Sequence, residues 1–124
     1  MSTPVRRATA LLTAALASGC AALSPPMQPP MHSPTPTATE HDEVRRTLVA
    51  PYLACMQTEA RKLGAGGLGG DSIVGASELR CGERIQALRR YGAAKNYDAL
   101  RWSDYVEQVE RDGQSAAAGA LRKP

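Results

Sequence analysis

Five residues have the chemistry to do more than pack: Cys20, Cys55, Cys81, His32 and His41. A reactive thiolate needs a base or a positive charge beside it. Neither histidine lies near Cys55 or Cys81, and there is no C-x-x-C pair; only Arg80 and Arg84 flank Cys81. Two cysteines and His41 make a thin metal-ligand set. His32 sits among prolines and His41 at their edge, where no rigid element would hold a general base. Glu59, Glu83, Asp104, Glu107 and Glu110 are scattered on polar helical phases, as solvating carboxylates are. The reading is therefore a non-enzyme, with no catalytic residue, no metal and no cofactor assigned. A literal G-x-G-x-x-G occurs at Gly64, Gly66 and Gly69. A dinucleotide site needs a strand before those glycines, and here a helical pattern precedes them, so the stretch over 64–72 reads as a loop.

Cys20 stands at the seam between two kinds of chain. Residues 1–7 carry Arg6 and Arg7 and no acid, and 8–17 are apolar apart from two threonines. That is the charged and apolar pattern of an export signal, too short to span a bilayer. The small residues Ala17, Ser18 and Gly19 then lead into Cys20. This order resembles the lipobox of bacterial lipoproteins, with Ala17 where the family favours Leu. The resemblance implies cleavage before Cys20 and lipidation of its thiol, with 1–19 as signal peptide. Ala21 is not the Asp that retains such proteins in the inner membrane, so it also implies an outer-membrane anchor.

Residues 20–39 follow as a tether, with Pro25, Pro26, Pro29, Pro30, Pro34 and Pro36. Proline removes backbone donors and disfavours helix before it, so an unfolded, extended spacer of roughly 60 Å is expected. The formal charge of +3 falls to +1 without Arg6 and Arg7, leaving 13 basic against 12 acidic side chains. That balance is a poor phosphate-binding footprint and argues against nucleic acid as partner.

The elements that would position the other two cysteines lie over 40–112. Val44, Leu48, Tyr52 and Cys55 trace one helical face, begun near Asp42 and Glu43 and ended near Gly64. Pro51 must either kink this helix or start a second one; the stripe stays in phase across it, which favours a kink. A second helix is expected over 77–91, capped by Ser77, with Cys81, Ile85, Leu88 and Gly92 on one face. A third is expected from Asn96 to about Asp112, with Ala99, Trp102, Val106 and Val109 inward and Gly113 closing it. Residues 113–124 read as a flexible tail. In the oxidising compartment that an export signal implies, Cys55 and Cys81 are expected to bond. A bridge closing about 26 residues stabilises by roughly 3–4 kcal/mol on the chain-entropy model.

The fold class is thus all-α, a small disulfide-stapled bundle of about three helices behind a Pro-rich tether. The function expected is that of an outer-membrane-anchored periplasmic lipoprotein acting by non-catalytic contact. Its partners would be the membrane, through its lipid, and an envelope protein or peptidoglycan. Arg80, Arg84, Trp102 and Tyr105 are the candidate contact residues, with Tyr97 beside them. Two alternatives stand: an inhibitor of a periplasmic hydrolase, using a loop over 64–75, and a membrane-bridging, lysis or secretion-system lipoprotein.

Overall fold

The computed structural model describes residues 33–122. The 1–19 leader, Cys20, His32 and most of the 20–39 tether lie outside the described residues. The order is α1 (Ala38–Val44), a π-helical turn (Arg45–Val49), α2 (Ala50–Ala65), α3 (Gly70–Ala94) and α4 (Ala99–Leu121). No strand occurs among the described residues. α1, the π turn and α2 form one continuous helical run, so the fold is all-α, three rods with a Cys55–Cys81 disulfide.

α1 begins two residues before the expected boundary at residue 40. Thr37 and Glu40 form a reciprocal cap: the Glu40 amide donates to Thr37 Oγ1 at 3.2 Å, and the Thr37 amide donates to Glu40 Oε2 at 2.9 Å. This is the T-x-x-E capping box, and it takes residues 38 and 39 into the helix.

Pro51 is accommodated without ending the helix. It has no N–H to donate, and its ring crowds the carbonyl four residues back. The turn before it is widened instead, with the Ala50 amide donating to the Arg45 carbonyl. Backbone angles stay helical at both joints, at Val44 and at Ala50. Across the π turn Val49 takes the place expected of Leu48, a step of five followed by one of three, and Tyr52 keeps its place: Val44, Val49, Tyr52, Met56 and Ala60 are the buried residues. Met56 and Ala60, four and eight residues after Tyr52, take the centre of the stripe, and Cys55 lies at its half-buried edge.

α3 starts at Gly70, a full turn and more before Ser77. Its buried stripe is Ile73, Ser77, Cys81, Ile85, Leu88 and Gly92, so Ile73 adds the missing turn. Ser77 is no cap: it is fully buried and its hydroxyl donates to the Ile73 carbonyl at 2.8 Å. α3 ends at a Schellman motif. Asn96 takes a left-handed φ of 54°, the Tyr97 amide donates to the Gly92 carbonyl, and the Asn96 amide donates to that of Ala93. Asn96 therefore stops α3 rather than starting α4. The cap of α4 is Asp98, whose carboxylate accepts from the Arg101 amide at 2.9 Å.

α4 does not stop at Gly113. Its buried positions continue through Trp102, Val106, Val109, Gly113 and Ala117, and it runs to Leu121. Gly113 is where the Tyr52 ring lies against α4: a Cβ there would stand 2.6 Å from Tyr52 Cε1. The expected flexible tail is thus helical through residue 121, because Ala117 is fully enclosed and Leu121 packs over Gly64. α4 lies against both α2 and α3 and closes the core.

Candidate functional site

Cys55 of α2 and Cys81 of α3 are joined, with Cα atoms 6.0 Å apart. Cys81 is 1% exposed, whereas Cys55 is half-buried. Cys55 borders a surface notch with Pro51, Ala54, Thr58, Glu59 and Arg84. The bond leaves no free thiol at either position, so Arg80 and Arg84 do not activate a nucleophile in this state.

The arginines of α3 are mostly matched. Arg80 meets Glu59 at 2.9 Å, Arg89 meets Glu110 at 2.7 Å and Arg90 meets Glu83 at 3.3 Å. Glu59 also holds Lys62 at 2.8 Å, and Lys62 first and then Arg80 hold its carboxyl below the usual range. Arg84 forms no ion pair with a described residue and stands exposed at the notch beside the disulfide. Of the two arginines expected to make contacts, Arg84 is the one with an unmatched charge.

The aromatic candidates divide differently. Trp102 and Tyr97 are each 8% exposed and belong to the core, so neither is a surface anchor. The Trp102 indole rests against Gly92, where any Cβ would collide with it, and its Nε1 donates to the Leu88 carbonyl at 3.1 Å. A tryptophan with its N–H satisfied by backbone is a packing residue. Tyr105 is half-buried, 5.1 Å centroid to centroid from Trp102 and 5.6 Å from His41. It alone of the three keeps part of its ring at the surface.

These rings extend into a cluster that sequence reading did not assemble. Tyr91 at the end of α3 lies 6.2 Å from Tyr97 and 6.1 Å from Trp102. Lys95 stands 5.6 Å from the Tyr91 ring centroid and 3.5 Å from Glu40 Oε1, tying α1 to the end of α3. Glu40 is held below its usual range by the Thr37 amide first and the Thr37 hydroxyl second. The Tyr97 hydroxyl is enclosed with no hydrogen-bond partner among the described residues. Burial first, and then the nearby Tyr91 and Glu40, push it up to about 12. Pro34, Thr35 and Pro36 line a small groove with His41, Tyr97, Trp102 and Tyr105, so the chain enters the bundle across its aromatic end. The T-x-x-E pattern at 37–40 was the one local signal that could have placed α1 there.

The inhibitor alternative asked for a protruding loop over 64–75. α2 and α3 take in all of that stretch except residues 66–69. Among the described residues, no group of three or more His, Cys, Asp or Glu is placed to hold a metal, and no helix is long and apolar enough to cross a membrane. No protein-family model, no curated protein and no solved structure matches the chain.

Proposed function

We propose that the chain is a lipid-anchored envelope protein whose stapled helical domain acts by non-catalytic contact with another envelope component, a protein or the cell wall. The observation that carries this reading is the Cys55–Cys81 bond. Such bonds belong to oxidising compartments, and small exported domains use them where a small core is insufficient. The third cysteine, Cys20, follows an export-type sequence and is left for the lipid that the lipobox resemblance implies. Two acyl chains would hold the protein at a membrane, and the proline-rich spacer would raise the local concentration of the domain near its partner.

The contact face is best sought on α3. Arg84 is exposed there and forms no ion pair with a described residue. Metabolic labelling with palmitate tests the anchor: the wild-type chain should take up label and Cys20→Ser should not. Absence of label on the wild type would end the lipoprotein reading. Crosslinking in intact envelopes then tests the contact. A specific adduct weakened by Arg84→Glu supports it, and recovery of abundant outer-membrane proteins alone counts against it.

A further inference from the structure

A cavity of about 750 Å³ opens where the last turns of α2 and α4 meet the first turn of α3. That size falls within the range of roughly 300–1,000 Å³ usual for small-molecule sites. Its floor is apolar. Ile73 is 2% exposed, and Leu121 lies over Gly64, where a Cβ would stand 2.9 Å from Leu121 Cδ2. Leu68, also of the lining, is 49% exposed, so apolar surface is left facing water here.

The charged part of the lining is of one sign. Arg61 of α2 and Arg122 after α4 border the cavity, both exposed, and no acidic side chain does. Neither arginine forms an ion pair with a described residue. Of the carboxylates near them in the fold, Glu59 holds Lys62 and Arg80, and Asp71 of the first turn of α3 lies outside the lining. A guanidinium fork matches the oxygens of a carboxylate or a phosphate. Each methylene laid on an apolar floor leaves water. A cationic ligand would meet two like charges, and a neutral chain would use the floor alone.

We infer that this cavity binds a single-chain amphiphile with an anionic head, its chain on the floor of Ile73 and Leu121 and its carboxylate or phosphate held by Arg61 and Arg122. The site lies at the other end of α4 from the aromatic groove and depends neither on the lipid anchor nor on Arg84.

Gly64, Gly70 and Gly119 line the cavity, whereas Gly92 and Gly113 are covered by Trp102 and Tyr52, so glycine amide resonances report where a ligand sits. The full chain carrying Cys20→Ser, isotopically labelled at glycine nitrogen, is titrated with decanoate and with decyl phosphate below their micelle concentrations. The three cavity glycines should shift saturably while Gly92 and Gly113 stay in place, and the tighter ligand names the headgroup. Decanol and acetate each lack one half of the amphiphile and should bind at least about tenfold more weakly. Arg61→Gln combined with Arg122→Gln should weaken the anion about tenfold and leave decanol unchanged. Gly119→Leu, where a Cβ meets open space, should abolish the saturable shift while helical circular dichroism persists. No saturable shift with either anion, equal shifts at Gly92 and Gly113, or saturation that survives Gly119→Leu would overturn the site. Equal affinity for decanol or acetate, or no effect of the two glutamines, would overturn the assigned ligand class.

Discussion

Gly92 and Gly113 each let an aromatic ring lie where a side chain would otherwise stand: Trp102 over the first, Tyr52 over the second. Gly82, by contrast, has open space around the position of a Cβ. Gly92→Ala should therefore destabilise the domain by about 1–3 kcal/mol through overpacking. Gly82→Ala should stabilise it by roughly 0.5–1 kcal/mol by removing backbone freedom within a helix. Urea midpoints of the two variants measure the contrast, and equal shifts would refute the packing argument. The same rings set a pH limit. Burial pushes the hydroxyls of Tyr52 and Tyr97 up to about 12. The fold holds the neutral phenol, so this contribution is complete below about pH 10, where the unfolded chain is also protonated, and is lost as pH rises through about 12. Alkaline titration followed by phenolate absorbance should show these two tyrosines ionising late and together with loss of helix. Ionisation of Tyr52 and Tyr97 near pH 10 with the helix intact would refute this.

The helical stripes were legible where the period was long and clean. Cys81, Ile85 and Leu88 lie where spacing alone puts them, and so do Trp102, Val106 and Val109. The boundaries were less legible, for reasons that belong to particular residues. Ser77 has the composition of a cap, but Ile73 four residues earlier extends the buried face and draws the glycine-rich stretch into α3. Asn96 resembles a cap as well, yet its left-handed backbone ends the preceding helix. Gly113 resembles a terminator, because nothing local in the sequence tells which ring, two helices away, will lie against it. Trp102 was open to either a surface or a core role, and the carbonyl of Leu88 and the notch at Gly92 decide it. The π turn is a compromise between Pro51 and a stripe that must stay inward, and only three-dimensional packing reveals that Val49 and not Leu48 takes the buried place in it. The last two turns of α4 offer the direct test at this scale. Ending the chain at Gly113 removes the enclosed Ala117 and the partly buried Leu121, and should cost roughly 2–3 kcal/mol. A truncated chain with an unchanged urea midpoint would show that these turns contribute nothing.

For the whole molecule, the covalent and non-covalent ties are unevenly distributed. α2 and α3 are bonded to each other by the disulfide, whereas α4 is held without a cross-link, by packing, by the Arg89–Glu110 pair and by hydrogen bonds such as Trp102 to the Leu88 carbonyl. Replacing both Cys55 and Cys81 by alanine should lower stability by about 3–4 kcal/mol, from the loop entropy returned to the unfolded chain. Guanidinium unfolding of the double variant against the oxidised wild type measures it, and a loss below about 1 kcal/mol would mean that the bridge does not act as a staple.

The placement of that bridge also decides how the protein carries tension. A pull between the two ends of the chain passes from Cys55 straight to Cys81, and the intervening stretch, with a sequence separation of 26, stays outside the load. At roughly 3.5 Å per extended residue, about 90 Å of contour is locked away until the sulfurs part. A stretched molecule would reveal that length as a single added step on reduction. While it is intact, the bond shortens by that length the farthest distance to which the chain can be drawn out.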